Sequence, residues 1–397
     1  MNNSFNTETV IVGAARTPIG SFQGALSSLT APKLGAHAIK AALERAGVKA
    51  EQVSEVIMGN VLTAGIGQAP ARQAAIYAGL PTSVPAVTVN KVCGSGMKAI
   101  MLGVQSIQTG ESEIVVAGGQ ESMTNAPYLM PGARSGFRMG NGSVVDSMIN
   151  DGLWDPYNNQ HMGNCGDLCA REKHFTREEQ DAFAVESFKR AQAAQAAGKF
   201  KNEIAPVIIA GAKGESVLVE NDEGPAKVKF DKIPTLKPAF SKDGTITAAN
   251  ASSVNDGASA VVLMSATKAK AMGLKPLAKI VSQASFAQDP VWFTTAPAGA
   301  MKKALDKAGW KVSDVDLFEV NEAFGVVTLA AMRELSIPHE KMNVNGGAIS
   351  LGHPIGSSGS RIVITLINAL KERGLKKGLA GICIGGGEAT AMAIEII

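Results

Sequence analysis

Two stretches near opposite ends of this 397-residue chain copy one another. AIKAALERAGVKAEQVSEVIMGN (38–60) and AMKKALDKAGWKVSDVDLFEVNE (300–322) align without a gap and agree at Ala38/Ala300, Lys40/Lys302, Ala42/Ala304, Leu43/Leu305, Ala46/Ala308, Gly47/Gly309, Lys49/Lys311 and Val53/Val315. Each copy reads as an amphipathic helix stopped by a glycine, then a short loop and a buried strand at 56–58 or 317–320. A repeat this distant means two similar domains rather than a solenoid, whose periods are far shorter. Carried forward in the same register, Cys93 falls on Ile355, so a cysteine loop in the first half answers a loop carrying His353 in the second. The halves are expected to bring one reactive group each to a shared seam.

Further on, VVAGGQES (115–122) parallels CIGGGEAT (383–390), each read as a strand running into a glycine turn. After Ser122 the first half breaks off, and its last strand is expected only at ASAVVLMS (258–265). Residues 1–122 plus 249–272 therefore make one half, 273–397 the other, and 123–248 an inserted loop domain. That insertion holds a Pro/Gly-rich segment at 125–141, a helical stretch at 176–197 and a lysine-dotted run at 211–237. Strands alternating with helices predict α/β layers with a mostly parallel sheet.

Apolar residues make up 45% of the chain, enough to fill cores of this size, while aromatics at 5% argue against a base-stacking surface for nucleic acid. A net charge of +3 gives no broad basic field for nucleic acid or an anionic membrane. MNNSFNTETV (1–10) lacks the basic start and apolar core of a signal peptide, and no apolar run is long enough to span a bilayer, so the expected location is cytoplasmic. Four cysteines in a chain this long make no disulfide framework. In a reducing compartment they are core filler, metal ligands or catalysts.

Cys93 follows the strand-like PAVTVN (85–90) and precedes Gly94-Ser95-Gly96, after which Met97, Ile100, Met101, Val104 and Ile107 keep helical spacing. A sulfur at a helix N-terminus is expected to be stabilised as thiolate by free N–H groups and the dipole. His353, pinned between Gly352 and Pro354, has a fixed ring with little packing duty, suited to taking a proton from a thiol or polarising a carbonyl. Asn321 and Glu322 end the repeat's buried strand at its C-terminal tip, where α/β proteins place sites, although an Asn/Glu helix cap has the same look. Cys383 opens onto the Gly385-Gly386-Gly387 turn, whose N–H groups could cradle an oxyanion. His161, Cys165, Cys169 and His174 raise the question of a metal, but their spacing fits no common zinc pattern, and a plain helix face is the better reading.

With these residues in hand the chain resembles the thiolase family over essentially its full length, through the VCGSG, NEAF, GHPIGSSG and CIGGG motifs in order. The resemblance implies a five-layered αβαβα fold from two similar halves, with the insertion binding coenzyme A and joining subunits into a homotetramer. It implies an acyltransferase of fatty acid metabolism that condenses two acetyl-CoA into acetoacetyl-CoA. Cys93 would be the acylated nucleophile, His353 its activator and Cys383 the acid/base at C2 of the second acyl-CoA. Asn321 would hold a water that forms one oxyanion site with His353, and the N–H groups of Cys93 and Gly385 the other. Leu153, His161, Met162, Ala248, Ser252, Ala323 and Phe324 map onto the pantetheine channel, and Lys227 offers charge near the nucleotide. No metal or redox cofactor is implied, since coenzyme A is substrate and product. Two rivals use the same residues: a degradative 3-ketoacyl-CoA thiolase for longer chains, and an acyl-CoA- or lipid-binding protein without turnover.

Overall fold

The computed structural model describes residues 7–210 and 215–397; the remainder of the N-terminal decapeptide and the start of the lysine-dotted run lie outside the described residues. Nine strands form one continuous sheet path: β1 (Thr9–Arg16), β2 (Glu55–Gly59), β3 (Ala86–Val89), β4 (Ile114–Ser122), β5 (Asn255–Ser265), β6 (Ala278–Ala287), β7 (Leu317–Val320), β8 (Lys377–Ile384) and β9 (Glu388–Ile396). Their order is β7-β8-β9-β6-β1-β5-β4-β2-β3, so the halves meet edge to edge at β6 and β1, through two residue pairs, Val10 with Lys279 and Ile11 with Ala278.

The sheet is mixed, which corrects the expectation of mostly parallel pairing. Parallel pairs occur at β2–β3, β2–β4 and β7–β8, whereas β4–β5, β5–β1, β1–β6, β6–β9 and β9–β8 run antiparallel. The reason lies in the connections. Each half starts with helix crossovers, which force parallel strands, and ends in a hairpin, which forces antiparallel ones.

Among the described residues eight helices have eight residues or more: α1 (Ala31–Ala46), α2 (Pro70–Tyr77), α3 (Ser95–Thr109), α4 (Met162–Glu172), α5 (Arg177–Ala196), α6 (Ala296–Ala308), α7 (Gly325–Leu335) and α8 (Ser358–Glu372). The repeated helices, α1 and α6, end at Gly47 and Gly309 in left-handed caps, as the duplicated glycines predicted. Three cores result. One packs α1 and α2 on the outer face of the first half, one packs α6 and α7 on the outer face of the second, and a third joins α3 and α8 between the two halves of the sheet. The layers read αβαβα.

The middle layer explains how distant loops meet. Helix α8 is buried nearly all round, as expected for a helix between the two halves of the sheet. Its contact with α3 depends on Gly96 and Gly359. A Cβ on Gly96 would lie 2.5 Å from the Ser360 hydroxyl and 2.8 Å from its backbone nitrogen, and one on Gly359 would lie 2.5 Å from the Met97 nitrogen. Both helices begin with Ser-Gly, so their N-termini cross at van der Waals range and bring the loops just before them together.

The insertion leaves the hairpin position between β4 and β5. It carries α4, α5 and short strand pairs, and it is tied to β1 by Arg16. This guanidinium, wholly buried, donates to Asp222 at 2.7 and 2.9 Å and to Glu203 at 2.7 Å. Helix α5 is capped by Thr176, whose hydroxyl accepts from Glu179 N while Glu179 accepts from Thr176 N.

Candidate active site

The loop after β3 carries Cys93 into the N-terminus of α3, with Gly94 as cap. Just before the thiol, Val92 holds a φ of 45°, a left-handed conformation that a β-branched residue adopts only under strain. Asn90 supports it by accepting the Val92 N–H at 3.0 Å. In the second half Gly352, Pro354 and α8 fix the loop of His353, whose backbone N–H donates to Asn255 Oδ1 at 2.9 Å.

Cys93, His353 and Gly385 line one cavity of about 210 Å³. The two loops from opposite halves therefore open onto the same space. The wall is mostly apolar: Leu153, Met162, Ala323 and Phe324 face it, with His161 and Ser252 among the few polar groups. Sequence reasoning missed Phe240 and Phe293, which line it too. Phe240 stacks on His161 at 4.6 Å and meets Phe324 edge-on, and Phe293 completes this aromatic wall against Phe324. His161 caps α4, accepting the Gly163 N–H on Nδ1 at 3.0 Å, which leaves its Nε2 as the donor.

Cys383 and Asn321 are not among the residues that line this cavity; both are fully buried at the tips of β8 and β7. Neither amide atom of Asn321, nor Nε2 of His353, has a protein hydrogen-bond partner. Buried polar groups are ordinarily paired, so the unpartnered Nε2 of His353, on the cavity wall, is open to a group that enters there. Lys227 and Ala248 sit apart from the other mapped residues, in a neighbouring cavity of about 350 Å³ that also takes in Lys229 and Lys232. Ala251 and Ser253 line both cavities, which are thus adjacent. Cys165 and Cys169 are buried in α4, and among the described residues no group of histidine, cysteine and carboxylate side chains converges as a metal site.

Electrostatics depart from the expectation of a thiolate at rest. Burial pushes the Cys93 thiol up to about 11; N–H groups of Gly385 and of Cys93 itself pull the other way, and the Glu121 carboxyl adds to the rise. Desolvation outweighs the helix terminus. Burial likewise lowers His353 to about 3, helped by the positive charge of Arg361. Cys383 is raised well above the ordinary thiol range, by burial first and then by Cys93. The resting site is a set of neutral groups.

Two carboxylates brace the loops. Glu121, at the end of β4, accepts from Asn60 Nδ2 at 2.7 Å and from the N–H groups of Val61, Leu62 and Gly356 at 2.9, 3.2 and 2.9 Å, so a residue of the first half holds the His353 loop of the second. Glu322 is a brace as well and not a cavity group: it accepts from Ser187 Oγ at 2.7 Å, Asn343 Nδ2 at 2.8 Å and Ile349 N at 3.1 Å.

Residues 9–267 match the family description "Thiolase, N-terminal domain" and residues 274–396 match "Thiolase, C-terminal domain". The chain is 57% identical to the acetyl-CoA acetyltransferase of Cupriavidus necator, over 98% of this chain and 99% of that protein. It is 55% identical to acetyl-CoA acetyltransferase 2 of Arabidopsis thaliana, over 98% and 97%. The crystal structure of the Bacillus anthracis acetyl-CoA acetyltransferase superimposes with a TM-score of 0.96 at 42% identity, covering 98% of this chain and 99% of that one. Duplicated halves, a thiol and an imidazole on one cavity, and matches spanning both halves lead to one conclusion: the chain belongs to the thiolase family.

Proposed function

We propose that this enzyme is an acetyl-CoA acetyltransferase, joining two acetyl-CoA into acetoacetyl-CoA and free coenzyme A through an acyl-cysteine. What carries the reading is that Cys93 and His353, from different halves, line one apolar cavity together with Gly385. Full-length likeness to proteins named acetyl-CoA acetyltransferase favours acetyl transfer over the longer-chain and non-catalytic alternatives.

In the first half-reaction His353 Nε2 takes the Cys93 proton as sulfur attacks the thioester carbon, and the N–H groups of Cys93 and Gly385 hold the oxyanion. Coenzyme A leaves as its thiol by taking the proton of Cys383. An imidazolium and a Cys383 thiolate remain. That thiolate removes a proton from C2 of the second acetyl-CoA, whose enolate oxygen is stabilised by His353 Nε2–H together with Asn321. The carbanion attacks the acyl group, and the departing Cys93 sulfur recovers the proton from His353. Every proton is returned. The thioester itself acidifies C2 and supplies the leaving group, so no metal or redox cofactor is needed, and the protein contributes placement and oxyanion donors.

Leu153, His161, Met162, Ser252, Ala323 and Phe324 would contact the pantetheine arm, with Ala248 and Lys227 toward the nucleotide. Lys227, Lys229 and Lys232, gathered at the second cavity, suit its phosphates. Residues 123–248 act as the loop domain of this reading and as the contact for a homotetramer; Met130, Phe137, Met139 and Val144 are exposed there. No helix among the described residues is long and apolar enough to cross a membrane, in keeping with the proposed cytoplasmic location.

Mass spectrometry after mixing with acetyl-CoA tests the scheme. An acetyl group is expected on Cys93 of the wild type, none in Cys93→Ala, and a retained acetyl without condensation in Cys383→Ala. Unmodified wild-type Cys93 would sink the assignment. Activity on acetoacetyl-CoA, set against a longer 3-ketoacyl-CoA, separates the two enzymatic readings.

A further inference from the structure

Among the described residues one protein group bonds to the His353 ring, the hydroxyl of Ser358. Its Oγ lies 2.6 Å from Nδ1 and 3.0 Å from the carbonyl oxygen of Pro354. Pro354 O also accepts the N–H groups of Ser357 and Ser358 at 2.9 and 3.0 Å; we place the single hydroxyl proton toward it because the counterpart Ser95 likewise gives its proton to a loop carbonyl, that of Val92. Only lone pairs then remain on Oγ to face Nδ1. With the hydroxyl proton so placed, the ring nitrogen supplies the proton of that contact, and Nε2 is left with its lone pair.

The first half contains a counterpart serine without a histidine, bonded to the carbonyl three residues earlier instead of four. Helices α3 and α8 are both 15 residues long and start with Ser95-Gly96 and Ser358-Gly359. Ser95 Oγ donates to Val92 O at 2.7 Å and accepts the backbone N–H of Lys91 at 2.8 Å. The residue in the place of Lys91, four before Ser358, is Pro354, which has no N–H. The acceptor site that Lys91 fills in one half is open in the other, and the imidazole takes it.

We propose that Ser358 is a positioning residue that fixes His353 as the Nδ1–H tautomer, so that Nε2 alone collects and returns the proton in both half-reactions. This rests on the reading of His353 as the base toward Cys93. No redox or covalent step is added, and Nδ1 keeps its hydrogen throughout. A hydroxyl also orients the ring without adding charge. A carboxylate in its place would stabilise the imidazolium, whereas serine leaves the low basicity set by burial and Arg361 in force.

Nitrogen-15 NMR of the histidine-labelled, full-length enzyme decides the tautomer, with His353→Asn identifying the signal among the five histidines. The expected wild-type spectrum shows Nδ1 protonated and Nε2 bare. In Ser358→Ala the Nε2–H form should appear, and single-turnover acetylation of Cys93 should slow on the order of tenfold to a hundredfold, the range for removing the partner that orients a functional histidine. KM for acetyl-CoA should barely move, and Ser358→Thr, which keeps the hydroxyl, should recover the rate. An Nε2–H wild type overturns the proposal without any variant having to fold. Unchanged tautomer and acetylation rate in Ser358→Ala overturn it as well. Unchanged acetylation in His353→Asn would instead remove the base assignment beneath it, a result distinguishable because the wild-type tautomer is read independently.

Discussion

The two halves end in the same hairpin and use it in opposite ways. In the second half β8 and β9 are joined by the three glycines Gly385-Gly386-Gly387, and the first of these lines the cavity with Cys93. In the first half the matching strands, β4 and β5, are opened by the whole of 123–254, which supplies Leu153, His161, Met162 and Phe240 to the cavity wall. In the proposed mechanism one copy of the turn supplies an oxyanion donor, while the other is opened into a wall of the cavity. A duplicated fold thus divides labour by changing a connection while the strands stay put.

The strongest way to break this comparison is to cut the insertion from its own half. Arg16→Ala would leave Asp222 and Glu203 buried without their cation, and such unpaired charge costs about 3 to 5 kcal/mol. Urea unfolding should show that loss, and a smaller effect than from a surface arginine such as Arg171 would mean that the insertion is held by other contacts. The short turn is tested next. Gly387 has a φ of 82° and a Cβ there would lie 2.7 Å from Asp289 O, while Gly386, at 90°, has nothing nearer than Tyr157 at 3.9 Å. Gly387→Ala should displace the Gly385 N–H and lower kcat on the order of 10²-fold, as for a lost oxyanion donor. Gly386→Ala should lose only about 1 kcal/mol of stability to backbone strain. Equal kinetic effects would mean that the turn does not aim the donor.

The smallest effect separates the two loops by charge. Burial raises an acid and lowers a base, so the Cys93 thiol, pushed up to about 11, and His353, lowered to about 3, are both neutral between those values. Alkylation of Cys93 in the free enzyme should therefore climb with pH toward about 11, with no step where an ordinary imidazole or thiol titrates. A plateau near neutrality would reveal a thiolate–imidazolium pair at rest.

Much of the fold was legible because duplication and periodicity are local signals: the α1 and α6 copies, their glycine caps and the paired loops of Cys93 and His353 follow from residues read in order. The register between the halves was less legible. Ser95 answers Ser358, which places Cys93 opposite Gly356 rather than Ile355, because one loop is a residue longer. VVAGGQES was set against CIGGGEAT, yet 114–122 is strand throughout and matches 377–384. Gly119 mimics a turn signal there, but it is small because Gly356 passes over it: the carbonyl carbon would stand 2.8 Å from an added Cβ. Glu121, Asn255 and Arg16 could not be read at all. Each is a lone polar residue whose partners lie on distant segments, as with Glu121 and the N–H of Gly356. Burial decided the thiol's protonation, and no motif reports the polarity of its surroundings.

The middle layer bears on synthesis as well as catalysis. Helix α3 leaves the ribosome long before α8 is made, and until then the apolar side of α3 and the part of the first half's strands that α8 covers stay open to water. Substitutions at the crossing of Gly96 and Gly359 should accordingly show first as insoluble protein in the cell rather than as a slow enzyme.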